Sequence, residues 1–197
     1  MTKHLNLAVE KEPQNPEFLM QRSMLYLTEK KYKETIDDLS DALKNRPNDP
    51  SLLYKRGEAL YLDKDFRQAL DNLEAALSYG PEASYEPDIH YHIGLSHANL
   101  EEFEYSISPF SRAIDLCPLE AVYYHERAKA YLLTEEYEMS VEDFDKVIEL
   151  QPTNSHAFFG RAFSHKNLRL YDKAVVLNLS SLKTSRGPKN SIQMIHS

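Results

Sequence analysis

Residues 121–154 read AVYYHERAKAYLLTEEYEMSVEDFDKVIELQPTN. Tyr124, Ala128 and Tyr131 fall at i, i+4 and i+7, which puts them on one side of an α-helix. Phe144, Val147 and Ile148 fall at i, i+3 and i+4 in the second half, again one side of a helix. A short charged turn at Glu135-Glu136 separates the halves. Pro152 closes the stretch, because proline has no N–H to give the next turn of helix and restricts the residue before it. The 34 residues predict a helix, a turn and a second helix.

The same pattern runs outward in both directions. Pro13, Pro47, Pro81, Pro118 and Pro152 are separated by 34, 34, 37 and 34 residues. The aromatics Tyr32, Phe66, Phe103, Tyr137 and Tyr171 keep that period, as do the small residues Ser23, Gly57, Gly94, Ala128 and Ala162. Three residue classes in register define a repeated unit, with about three residues inserted near Ser84-Tyr85-Glu86. The first-half stripe recurs as Leu19, Ser23 and Tyr26 and as Leu53, Gly57 and Leu60. The second-half stripe recurs as Leu39, Ala42 and Leu43, as Leu73, Ala76 and Leu77, and as Phe110, Ala113 and Ile114.

This pattern resembles the tetratricopeptide repeat (TPR) family, and it does so at eight positions in nearly every unit. The units are 16–49, 50–83, 87–120, 121–154 and 155–184. Residues 1–15 keep second-helix register through Leu5, Ala8, Val9 and Pro13, and 185–197 read as a flexible tail. The resemblance implies an all-α, right-handed α-solenoid of about five helix hairpins plus an N-terminal half repeat. Two departures stand out. Pro109 interrupts the second helix of the third unit, where it deletes a hydrogen bond and is expected to kink the helix, and Asn178 replaces the usual Leu or Phe in the last unit. Beyond Lys183 the apolar period stops, so the C-terminal end is expected to be uncapped.

Composition narrows the function. The chain has 197 residues, 31 Asp+Glu against 23 Lys+Arg and a formal net charge of −8, which weighs against nucleic acid and anionic membranes as partners. The single cysteine, Cys117, has no partner for an intramolecular disulfide and no neighbouring base to activate it. His90 and His97 share a helix face but lack the i, i+4 spacing of zinc-binding helices, so no metal is expected. No Gly-rich phosphate loop, G-x-S-x-G or paired-acid motif is present. Neither a catalytic residue nor a cofactor is expected, and the chain reads as non-enzymatic. The N-terminal residues lack a signal-peptide pattern, and no run approaches the roughly 18 apolar residues of a membrane span. No membrane insertion and a cytoplasmic location follow as expectations.

In the TPR family the exposed face of each first helix lines the concave side. That resemblance implies a partner-binding groove from Met20, Met24, Tyr54, Glu58, Tyr61, Tyr91, Leu95, His125, Lys129, Phe159 and Phe163. An aromatic and apolar groove of this kind would take a peptide or helix of a protein partner. The competing reading is that these side chains only pack between neighbouring first helices. A different role is a structural subunit of a large assembly, ciliary or otherwise, docking through the C-terminal edge at Val175, Val176, Leu179 and Leu182. The carboxylate clamp of co-chaperone members is disfavoured, since the matching positions offer Glu58, Asp88 and Glu126 and no paired Lys and Asn. Finally, Arg22, Arg56, Arg127 and Arg161 recur in the first helices and Asp38, Asn72 and Asp143 in the second. The third unit lacks both, with Ile93 and Pro109 in their places, which predicts an Arg to Asp/Asn contact inside each hairpin.

Overall fold

A computed structural model describes the backbone of residues 2–185 and the side chains of residues 4–170. Among the described residues the structure is all helix. A leading helix α1 (Thr2–Lys11) is followed by four hairpins: α2 (Pro16–Thr28) with α3 (Tyr32–Asn45), α4 (Pro50–Leu62) with α5 (Phe66–Ser78), α6 (Glu86–Asn99) with α7 (Phe103–Leu116), and α8 (Ala121–Leu133) with α9 (Tyr137–Leu150). The last helix is α10 (Ser155–Ser185). Each helix packs on the next in chain order, which is the quasi-one-dimensional contact pattern of a solenoid.

Local chemistry sets the helix limits. Oδ1 of Asn15, Asp49 and Asn154 accepts from backbone N–H groups of the first turns of α2, α4 and α10. Pro16, Pro50 and Pro87 occupy first-turn positions where a missing N–H costs nothing. α3, α7 and α9 stop two residues before their prolines, at Asn45, Leu116 and Leu150.

Each hairpin turn is closed by a left-handed residue that is not glycine: Lys30 (φ 59°), Lys64 (φ 68°), Glu101 (φ 62°) and Glu135 (φ 64°). The next residue's N–H returns to the helix it has left, as in Lys31 N to Tyr26 O at 2.9 Å and Glu136 N to Tyr131 O at 2.8 Å. These are Schellman closures, and they satisfy carbonyls that the helix ends would otherwise orphan.

The second helices supply the core: Leu39, Leu73, Phe110, Ala113, Phe144 and Val147 are buried. Gly94 shows how tightly the hairpins close, because a Cβ there would lie 2.5 Å from the Phe110 ring. Gly160 is similar, with Phe144 only 2.3 Å from the added atom. The Phe110 ring is fully buried, whereas Phe144 borders an open cavity into which it can shift. Gly94→Ala is therefore expected to lower the melting temperature more than Gly160→Ala, as overpacking outweighs the helix-propensity gain of about 1 kcal/mol only where the ring has no room.

The predicted arginine contacts are present. Arg22 donates through Nε and Nη2 to both oxygens of Asp38 at 2.7 and 2.6 Å, and Arg127 grips Asp143 the same way at 2.8 and 2.7 Å. Arg56 donates to Asn72 Oδ1 at 2.7 Å. Arg127 and Arg56 also reach back to the preceding hairpin, to Ser111 Oγ at 2.8 Å and Ser40 Oγ at 3.4 Å. Arg161 makes the backward contact, to Asp145 at 2.6 Å. The ladder thus joins neighbouring hairpins as well as the two helices of each. α7 runs unbroken through Pro109, with Ile93 buried where the other hairpins place arginine.

The C-terminal unit departs from the expected helix-turn-helix. Residues 155–185 form one continuous helix of 31 residues, with no turn before Tyr171. Elsewhere the residue before the aromatic is charged (Lys31, Asp65, Glu102, Glu136), but here it is Leu170, in a run Leu168-Arg169-Leu170 of strong helix formers. Val175, Val176, Leu179 and Leu182 lie on this helix outside the residues whose side chains are described.

Candidate functional site

The first helices place two adjoining cavities along one side of the stack. The larger, about 470 Å³, is lined by His125, Lys129, Leu132 and Leu133 of α8, Phe144 of α9, and His156, Phe159, Gly160 and Phe163 of α10. Phe159 and Phe163 are stacked with ring centroids 6.5 Å apart, yet they remain 75% and 41% exposed. His125 meets the Phe144 ring edge-on at 5.8 Å. Glycine at 160 lets Phe144 form the floor, since any side chain there would collide with the ring.

The second cavity, about 380 Å³, is lined by Tyr61, Tyr91, Leu95, Phe103, Glu126 and Lys129 among others. Lys129 and Leu133 border both, so a continuous trough runs from α4 to α10. The trough is not featureless electrostatically. Burial pushes the Glu126 carboxyl up, but hydrogen bonds from His125 and Lys129 outweigh it and hold the group below the usual carboxylate range. Burial also raises the Tyr91 hydroxyl well above its ordinary value, so it stays a neutral donor.

Of the residues expected at the groove, seven border these cavities: Tyr61, Tyr91 and Leu95 on the second, His125, Phe159 and Phe163 on the first, and Lys129 on both. The other four sit elsewhere. Met20 is half-buried against the N-terminal core and Met24 is exposed beside it. Glu58 is tied to Lys55 at 2.8 Å. Tyr54 departs most, at 3% exposure: Tyr85, from the three-residue insertion, lies 5.5 Å from its ring and His92 6.2 Å away. It packs between helices and offers no groove anchor.

Phe144, Leu133 and Gly160 complete the site without having been read as part of it. Gly160 did carry a signal, because Gln21, Lys55, His92 and Glu126 at the same register are all larger and polar. Among the described residues no group of three His, Cys, Asp or Glu side chains is placed to hold a metal ion. Nor is any helix among them long and apolar enough to cross a membrane.

Tetratricopeptide repeat family profiles match residues 54–121 and 121–154. The chain belongs to the tetratricopeptide repeat family. No curated protein sequence matches this TPR protein. Among solved structures, MamA (41-end) from Desulfovibrio magneticus RS-1 superposes with a TM-score of 0.71 at 26% identity, over 78% of this chain and 85% of that one. YrrB, described as a TPR protein with an unusual peptide-binding site, gives a TM-score of 0.74 at 18% identity, over 93% of this TPR chain and all of that one. The first TPR of Spaghetti (RPAP3), bound to an HSP90 peptide, gives 0.56 at 19% identity over 61% and 93% of the two chains. The last two likenesses speak for a shared fold.

Proposed function

We propose that the chain is a non-enzymatic structural subunit that docks onto other polypeptides through its C-terminal third, with α10 as the docking element. One observation carries this reading. Phe158, Phe159, Phe163 and Leu170 crowd large exposed apolar side chains into a single stretch of α10. Large apolar side chains left exposed this close together are costly in water and mark an interface.

A second reading, a peptide or helix laid along the trough, is supported by the stacked Phe159 and Phe163 over a roomy apolar cavity. YrrB, with an unusual peptide-binding site, and Spaghetti, bound to an HSP90 peptide, set a precedent among TPR folds. An HSP90-type carboxylate clamp is disfavoured here, since Glu126 lies in the trough and its negative charge opposes a carboxylate.

The test is a Phe159→Glu/Phe163→Glu variant. Proteins co-purifying with the wild type are expected to be lost, with the melting temperature nearly unchanged because both side chains are exposed. Retention of the same proteins would contradict docking at α10. Tyr61→Ala then separates the readings: it weakens binding along the trough and leaves docking confined to α10 intact.

A further inference from the structure

Arg161 repeats the pose that Arg127 holds one unit earlier. Its guanidinium lies over the Phe158 ring at 5.4 Å, as that of Arg127 lies over Tyr124 at 5.9 Å. Both reach back sixteen residues, Arg161 to Asp145 and Arg127 to Ser111. Arg127 makes one further contact, the two-pronged grip on Asp143 of its own second helix. The position matching Asp143 in the last unit is Leu177, which has no carboxylate to offer. The Arg161 side chain is correspondingly more open, at 33% exposure against 17% for Arg127.

The stripe beside Arg161 is bare. In α4 and α8 the residues that meet the second helix include Leu53, Gly57 and Leu60, and Ala128 and Tyr131, all buried. Leu73 closes on Gly57 and Phe110 on Gly94, so the small central residue is the seat for a large side chain. In α10 the same stripe is Phe158, Ala162 and His165, and all three are exposed. Another side of α10 is docked, with Ser164 Oγ 2.9 Å from Ser140 Oγ on α9. By register the chain's own continuation offers Asn178 for the seat at Ala162, where the other second helices bring Leu39, Leu73, Phe110 and Phe144. Leucine for the arginine and asparagine for an apolar seat make residues 171–184 a poor cover at both central positions. Nor is there a turn to bring them back, since α10 continues through residue 170.

We propose that this stripe binds an amphipathic helix of a partner protein, one that carries an aspartate directly followed by Leu or Phe. Charge and shape both select that occupant. Arg161 holds a guanidinium fork in the pose that grips a carboxylate one unit earlier, and Ala162 leaves the seat for the next side chain open. The matching pattern is written twice in this chain. α3 buries Thr35, Asp38, Leu39 and Ala42, and α9 buries Ser140, Asp143, Phe144 and Val147. Both of those helices are engaged by Arg22 and Arg127 of their own hairpins, so a second copy of the chain has neither to lend. The proposal rests on the reading of α10 as the docking element and deepens it, by naming what the Phe158 side takes. Phe159 and Phe163 line the trough and stay outside this stripe.

The probe is a synthetic peptide with the α9 sequence, residues 137–150, titrated into the full chain by isothermal calorimetry. Saturable one-to-one binding is expected. Arg161→Leu in the chain weakens it about tenfold, Asp143→Leu in the peptide does the same, and the two together cost no more than either alone. Ala162→Glu abolishes binding and leaves the melting temperature nearly unchanged, because the site is exposed. No binding to the wild type, or binding indifferent to Arg161 and to the peptide's aspartate, overturns the proposal. Binding that survives Ala162→Glu and is lost in Phe159→Glu/Phe163→Glu puts the peptide in the trough and overturns it too. A Cys117→Ser/Ala162→Cys/Asn178→Cys variant covers the remaining occupants. An Ala162 to Asn178 position disulfide within one chain puts residues 171–184 on the stripe, one between two chains puts a second copy there, and either rejects the partner helix. Failure of the peptide while co-purifying proteins still depend on Phe159 and Phe163 defeats this proposal alone and leaves the docking reading standing.

Discussion

Phe110→Ala is expected to lower the unfolding free energy by about 3–5 kcal/mol, read from urea denaturation. Phe110 has no exposed surface, packs directly against Gly94 across the α6–α7 contact, and lies 6.1 Å from the Tyr91 ring. Truncation leaves a cavity that α6 cannot fill, since the residue opposite is glycine and has no side chain to move in. The third hairpin also lacks the Arg to Asp pair that ties α2 to α3 and α8 to α9, so packing at this point carries more of the closure. A loss below about 1 kcal/mol would show that the site collapses freely and that the hairpin is not closed as described.

Arg127→Leu is expected to cost a similar amount, about 3–5 kcal/mol, because it strands Asp143 as a buried carboxylate without its partner. The instructive comparison is the double variant Arg127→Ile/Asp143→Leu, which should recover most of that loss. The third hairpin makes the case within this same chain: Ile93 and Pro109 occupy these positions, and α6 and α7 still pair. Arg161→Leu is the control. Its Asp145 partner is 55% exposed, and surface pairs contribute roughly 0–1 kcal/mol. Equal losses in the Arg127 single and double variants would mean that the salt bridge is not what the arginine supplies.

Repeat length, helix order and the arginine pairing were all legible in the sequence, because each is a periodic property and five copies average out local exceptions. The joint absence of Arg and Asp from the third unit even identified which residues meet. Single events were harder to see. The left-handed turn residues are Lys30, Lys64, Glu101 and Glu135, none a glycine, so composition hid the Schellman closures. Tyr54 was misplaced because the groove register assumes evenly spaced units, whereas the insertion brings Tyr85 over its ring. The continuous α10 escaped notice for the opposite reason. Tyr171 and Ala174 keep the period, and only the change from a charged residue to Leu170 marks the missing turn. Phe144 was assigned to the core, correctly, but its ring also floors the larger cavity, a role that depends on Gly160 and on no periodic feature.

The most direct test of α10 as the docking surface is site-specific photocrosslinking in cells, with benzoyl-phenylalanine placed at Phe159 in one chain and at Tyr105 in another. Both positions are highly exposed, at 75% and 70%, but only the first lies on α10. Discrete protein adducts are expected from Phe159 and none above background from Tyr105. Adducts confined to Tyr105 would place the interface on α7 and contradict it.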